Sequence, residues 1–182
     1  MATVIADNIG VNPPKTKQVN VESVSPSISQ LRTPHLAETQ KVGVLIDQAF
    51  PSEEVMSTLN FLKKNGVFVE IISEKLGTVT GTQGISIRVD RSFQMTYPVL
   101  YDSIYVVGGR ADNQGYFHTN VQEFIHEAYK HYKPIGVAST AERMIQASNV
   151  NNLIGVVFAR DNPEFANEFL EAIAQQRFWN RT

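Results

Sequence analysis

Residues 41–72 read KVGVLIDQAFPSEEVMSTLNFLKKNGVFVEII, and the fold follows from this stretch. Val42 to Ile46 is an unbroken apolar run that stops at Asp47, the pattern of a strand covered on both faces. A helix follows. Ser52 is the expected N-cap, Glu53 and Glu54 suit the positive end of the helix dipole, and Val55, Leu59 and Leu62 recur at helical spacing. Gly66 is the expected stop. Val67 to Ile72 then forms a second strand, so the unit is strand–helix–strand.

Toward the C-terminus the alternation continues. Gly77, Gly81 and Gly84, with Ile85, Ile87 and Val89 alternating, predict a small hairpin over Thr78 to Val89. Ser103 to Val107 is another buried strand, closed by Gly108-Gly109. Val121, Phe124, Ile125, Ala128 and Tyr129 form one apolar stripe of a helix capped by Thr119 or Asn120. Pro134 to Ala138 is the next strand and Ala141 to Ala147 a short helix. Leu153 to Phe158 is the last strand. The last helix opens with Asn162-Pro163 and carries Phe165, Phe169, Ala172 and Ile173 on its core face. Strands alternating with helices predict a mainly parallel sheet with helices on both faces, a three-layer α/β sandwich.

Toward the N-terminus the composition changes. Pro13, Pro14, Pro26 and Pro34 stand among Ser, Thr, Asn and Gln, a segment with too little apolar surface to fold alone. Residues 1–40 are therefore expected to be an extended linker with a helical stub over Thr3 to Val11, attached to something larger. Residues 41–182 form the expected domain.

A net charge of −2 gives no electrostatic case for nucleic acid or an anionic membrane. The longest apolar runs, Ile104 to Val107 and Ile154 to Ala159, are far short of the roughly 20 residues of a bilayer span. With no cysteine, the chain has no disulfide, thiolate metal site or thiol nucleophile, which fits a cytoplasmic location.

In an open α/β sheet, chemistry gathers at the carboxyl ends of the strands. Here those ends hold Asp47 to Glu54, Gly108 to Asp112, and Ser139-Thr140. Ser139 stands where a strand turns into a helix, a place for a nucleophile beside helix N-terminal amides. A serine nucleophile needs a base within reach, and His35, His118, His126 and His131 are all distant in sequence. The preferred reading is that Ser139 and Thr140 cap the short helix, and that Glu53 and Glu54 serve the helix dipole. Gly108-Gly109 permits close approach of backbone to a ligand but is no dinucleotide fingerprint. His126 and His131, five residues apart, cannot share a metal. Gln48-Ala49-Phe50-Pro51 lacks the residues to wrap a flavin phosphate.

These strand ends resemble the class I glutamine amidotransferase-like superfamily, which includes the PfpI-type proteases and has a flavodoxin-like fold. Active members carry an acid early in the first helix, a glycine pair after a later strand, and a cysteine at the elbow. Glu54 matches the acid, Gly109 lies in the glycine pair, and Ser139 stands at the cysteine position. Thr140 stands where the proteases have histidine.

Three further segments resemble the C-terminal domain of large-subunit haem catalases: Glu127-Ala128-Tyr129-Lys130-His131-Tyr132-Lys133-Pro134-Ile135, Gly77-Thr78-Val79-Thr80, and Gln176-Arg177-Phe178-Trp179-Asn180-Arg181. Ile5-Ala6-Asp7-Asn8-Ile9-Gly10-Val11 with Pro13-Pro14 and Ser25-Pro26-Ser27-Ile28-Ser29 is similar to the tail of the catalase core and its linker. The resemblance implies a parent that decomposes hydrogen peroxide with a haem held in its core domain. It implies no haem, other cofactor or metal in this chain, whose tyrosines match no haem ligand. The implied partners are that core and the sister subunits of a homotetramer. The implied role is non-catalytic, in assembly, stability or chaperone-like protection. The alternative is a surviving hydrolase or glyoxalase activity of Ser139 with Glu54.

Overall fold

The computed structural model describes residues 10, 35–109, 115–148 and 150–181. The expected helical stub and all of the expected linker other than Gly10 and residues 35–40 lie outside the described residues, as do Arg110, Ala111 and Asp112. The chain divides into two units, Met1–Pro34 and His35–Thr182, and the second carries the fold.

Its elements are β1 (Lys41–Ile46), α1 (Ser52–Lys64), β2 (Phe68–Ser73), β3 (Gly77–Thr80), β4 (Ser86–Val89), β5 (Arg91–Ser92), β6 (Ser103–Gly108), α2 (Tyr116–Lys130), β7 (Ile135–Val137), α3 (Glu142–Ala147), β8 (Val156–Phe158) and α4 (Phe165–Gln175). The main sheet runs β5-β2-β1-β6-β7-β8, and every neighbouring pair in it is parallel. Strand order reverses at β1 and β6, so the crevice of a doubly wound sheet opens at their carboxyl ends. The predicted hairpin is present as antiparallel β3 and β4, with Val79 opposite Ile87.

Side-chain alternation along the buried strands builds two cores. Val42, Val44 and Ile46 of β1, with Tyr105 and Val107 of β6, face α1 and α4. Leu45, Ile104, Val106, Ile135 and Val137 face α2 and α3. Each large apolar side chain so buried contributes about 1.5–3 kcal/mol against the unfolded chain. These are the three layers expected from the sequence.

The differences lie at the helix starts and at the last strand, which begins at Val156 rather than Leu153. Ser52 is the first helical residue rather than the cap, and its hydroxyl accepts a hydrogen bond from Gln83 N at 3.4 Å. Helix α2 begins at Tyr116, before Thr119 and Asn120, because Phe117 is drawn into the core against Phe93, with ring centroids 5.6 Å apart. Asn162 accepts from Glu164 N at 3.0 Å in a turn ahead of α4 rather than capping it directly.

Two buried phenols give the domain a defined alkaline limit. Burial, and then a hydrogen bond to the Glu70 carboxylate, raises the Tyr101 phenol above its ordinary 10.0. Burial and the nearby Glu54 charge do the same for Tyr105. Both stay protonated in the folded chain at a pH where the unfolded chain ionises. Their contribution is therefore complete below pH 10.0 and lost as the pH climbs above it. Urea melts at pH 8, 10 and 11 are expected to show a falling midpoint, and Tyr105→Phe is expected to make the fall shallower.

Candidate functional site

The three strand ends singled out in the sequence come together, and one contact dominates. Glu54, in the first turn of α1, reaches across to the turn between β7 and α3. Its Oε1 accepts from the Ser139 backbone N–H at 3.0 Å, and its Oε2 accepts from Ser139 Oγ at 2.5 Å. The Glu54 carbonyl in turn accepts from Thr58 Oγ1 at 2.9 Å. A carboxylate taking two donors from one residue is a clamp with fixed geometry, and hydrogen bonds to an ionised acceptor are the strong ones.

Two readings from the sequence are corrected here. Helix α3 has Ala141 at its N-cap and no side-chain cap hydrogen bond. Ser139 is spent on Glu54, and Thr140 Oγ1 donates to Val107 O at 2.7 Å, back onto β6. Neither caps the helix. Glu54 likewise answers Ser139 rather than only the dipole of its own helix, whereas Glu53 stays exposed in the first turn.

Gly109 is positioned against the loop after β1. A Cβ there meets Asp47 Cβ and Gln48 O, each at 2.7 Å. Backbone cannot yield cheaply at that distance, so the glycine is required by the approach of two chain segments. Gly108, at φ +70°, takes the left-handed turn that brings this about, and its carbonyl accepts from Asp47 N at 2.9 Å. Gly109→Ala is expected to cost about 1–3 kcal/mol through overpacking, measured as a lower urea midpoint.

The sequence placed Gln48 and Ser52 at this strand end without the contacts they make, and it did not point to Tyr105 at all. Gln48 stitches the β3–β4 hairpin to the β1 loop, donating to Thr78 O at 3.2 Å and accepting from Thr80 N at 2.8 Å. Ser52 and Gln83 belong to a shallow cleft of about 400 Å³ lined also by Pro51, Glu53, Glu54 and Thr82. The Tyr105 hydroxyl is fully buried close to Thr58 and Glu54, and makes no hydrogen bond of ordinary geometry among the described residues. The uniformly apolar run of β6 gives no sign of which face Tyr105 points to.

A nucleophile at a strand–helix elbow is normally displayed on a strained turn. The described non-glycine residues with positive φ are Thr39, Ala49, Tyr132, Asp161 and Gln176; Ser139 is not one of them. No histidine among the described residues hydrogen-bonds to Ser139. His131 instead lies 3.4 Å from Glu127 on the surface of α2. The site therefore holds a serine whose backbone N–H and hydroxyl both donate to one carboxylate.

No group of three or more His, Cys, Asp or Glu among the described residues could hold a metal. The cleft at the amino ends of the strands does not fit a haem either. Lys41, Glu70, Asp90 and Arg91 line it, and Lys41 and Arg91 pair with Glu70 at 3.0 and 3.3 Å. Thr39, Phe68 and Val69 complete the lining, which offers no histidine, cysteine, methionine or tyrosine as an axial ligand. No helix among the described residues is long and apolar enough to cross a membrane.

Sheet order and elbow place the domain among the α/β folds of the DJ-1/PfpI kind. A two-domain protein from Anabaena variabilis, with DJ-1/ThiJ/PfpI-like and ferritin-like domains, superposes with a TM-score of 0.53 at 23% identity, over 58% of this chain and 32% of that one. The sequence profile of the C-terminal domain found in long catalases matches residues 38–182, and the chain belongs to that family. Catalase-2 of Bacillus subtilis is 36% identical over 188 residues, which cover all of this chain and 27% of that protein. The chain thus spans about a quarter of the length of that catalase. A deglycase of Pyrococcus horikoshii, PH1704, is 30% identical over 95 residues, covering 52% of this chain and 57% of that one.

Proposed function

We propose that this domain is the non-catalytic accessory part of a haem catalase, which decomposes hydrogen peroxide, and that it supports assembly or stability of the oligomer. In this reading residues 1–40 connect it to the haem-carrying core, residues 41–182 are the appendage, and the whole acts in the cytoplasm. One observation supports the absence of turnover above the rest. Both Glu54 oxygens are engaged by Ser139, so the pair that elsewhere in the fold could do chemistry serves to fasten α1 to the β7–α3 turn.

The test exchanges the matched C-terminal part of Bacillus subtilis Catalase-2 for this chain. Peroxide decomposition and slow thermal inactivation are expected to persist in the exchanged enzyme, whereas the same enzyme cut before that part inactivates faster. Equal inactivation of the exchanged and cut forms would count against an accessory role. A chaperone-like contribution is read separately, from suppression of aggregation of a heated client by the isolated chain.

The second reading is a residual hydrolase or glyoxalase activity, favoured by the 2.5 Å Ser139–Glu54 contact and the partial likeness to a deglycase. It requires turnover of an ester, amide or glyoxal that Ser139→Ala abolishes.

A further inference from the structure

The crossover from β5 to β6 carries no α-helix. Two short 3-10 turns, Phe93–Met95 and Pro98–Leu100, take its place. On the face where α2 and α3 cover β6 and β7, this segment lies against β1 and β2. Phe93 and Tyr101 bury into the cluster that holds Leu45 and Ile72.

Exposure alternates along it. Thr96 and Pro98 point inward, whereas Met95 is 51%, Tyr97 65%, Val99 79% and Leu100 55% exposed. From Ser92 to Tyr101 the sequence contains no charged residue. The other exposed apolar side chains of the described residues stand singly or, at Leu153 and Ile154, as a pair, which is ordinary. Four within six residues are not.

The segment is also held in place. Lys133 is 5% exposed, and its Nζ donates to Pro98 O at 2.9 Å and to Tyr101 O at 2.6 Å. A buried ammonium is costly unless its donors are satisfied, so Lys133 fixes the backbone on which the four side chains stand. The Tyr101 hydroxyl pairs with Thr96 at 2.7 Å, and Phe93 packs edge-on to Phe124 at 5.5 Å between centroids.

We propose that Met95, Tyr97, Val99 and Leu100 form the surface on which this domain docks against an apolar face of the haem-carrying domain of a long catalase. The inference rests on the accessory reading above. An uncharged centre with Met and Tyr is the composition of an interface core. Area decides the occupant. The four side chains expose on the order of 500 Å², short of the roughly 800 Å² per partner that free association of two copies needs. A covalently joined neighbour, at an effective concentration on the order of millimolar, needs less. The matched catalase extends well beyond the 27% that this chain covers, which leaves room for such a neighbour.

The experiment compares backbone hydrogen exchange over residues 93–101 in the isolated chain and in the exchanged Bacillus subtilis enzyme, with light scattering of the isolated chain alongside. Exchange at least tenfold slower in the enzyme is expected. Tyr97→Ser with Val99→Ser is expected to remove that protection and hasten thermal inactivation of the enzyme, while the melting temperature of the isolated chain stays unchanged. If the exchanged enzyme outlasts the cut form while the segment stays unprotected, the accessory reading survives and this surface is wrong. If neither stabilisation nor protection is seen, both readings fall. A dimeric isolated chain with the segment already protected makes the occupant a second copy, and that result also overturns the proposal.

Discussion

Arg181→Ala is expected to lower the unfolding free energy by about 2–4 kcal/mol, because one buried and one partly buried carbonyl lose their donor at up to roughly 1–3 kcal/mol each. The residue is second from the end of the chain, yet it is 4% exposed. Its guanidinium donates to Ile154 O at 2.6 Å and Lys133 O at 3.0 Å, with a longer bond to Tyr129 O at 3.3 Å. It also lies over the Tyr129 ring at 4.9 Å and the Phe178 ring at 5.7 Å. Tyr129 O keeps a second donor in Tyr132 N, so the loss falls mainly on Ile154 and Lys133. For a domain of this size the change amounts to roughly 10 °C in melting temperature. Arg181→Lys is expected to restore little of it, since an ammonium cannot span three carbonyls set around a planar fork. Differential scanning calorimetry of the three proteins checks both statements.

Glu54→Gln is the second large effect. The amide oxygen can accept from either Ser139 N–H or Ser139 Oγ, and its NH2 then faces the other. If the amide nitrogen meets the backbone N–H, two donors are opposed and one is buried without an acceptor. A loss of about 2–3 kcal/mol is expected from the missing charge-assisted bonds. Ser139→Ala removes only the hydroxyl and leaves the bond from Ser139 N to Glu54, so about 1 kcal/mol is expected. Paired urea melts distinguish the two. A clamp gives a larger effect for the glutamate than for the serine, and the double variant is less than additive because the two side chains share one interaction.

Much of this arrangement is legible in the sequence, for physical reasons that differ by element. Strands β1 and β6 announce themselves because a parallel strand covered on both faces must be apolar throughout. Helix α2 shows its stripe because one face alone is buried. The helix starts are misread because capping preference is local while the start of a helix is set by what it packs on. Phe117 is needed beside Phe93, so α2 begins before the polar residues that look like caps. Strand β5 is two residues long and has no periodicity to detect.

At the site, Glu54, Gly109, Ser139 and Thr140 are found from their places at strand ends. Their partners are not. Glu54 and Ser139 are 85 residues apart, and only the sheet order brings the first helix beside the β7–α3 turn. The roles of Lys133 and Arg181 are hidden for the same reason. A charged side chain reads as surface until the carbonyls that surround it are known.

The central claim is that Ser139 is fastened rather than activated. Treating the isolated chain with a fluorophosphonate, which labels serines whose hydroxyl is deprotonated by a base, and locating any adduct by peptide mass spectrometry tests this directly. No adduct on Ser139 is expected at neutral pH in the wild-type chain. Stoichiometric labelling of Ser139 that disappears in Glu54→Gln would contradict it, since the carboxylate would then be acting as the base.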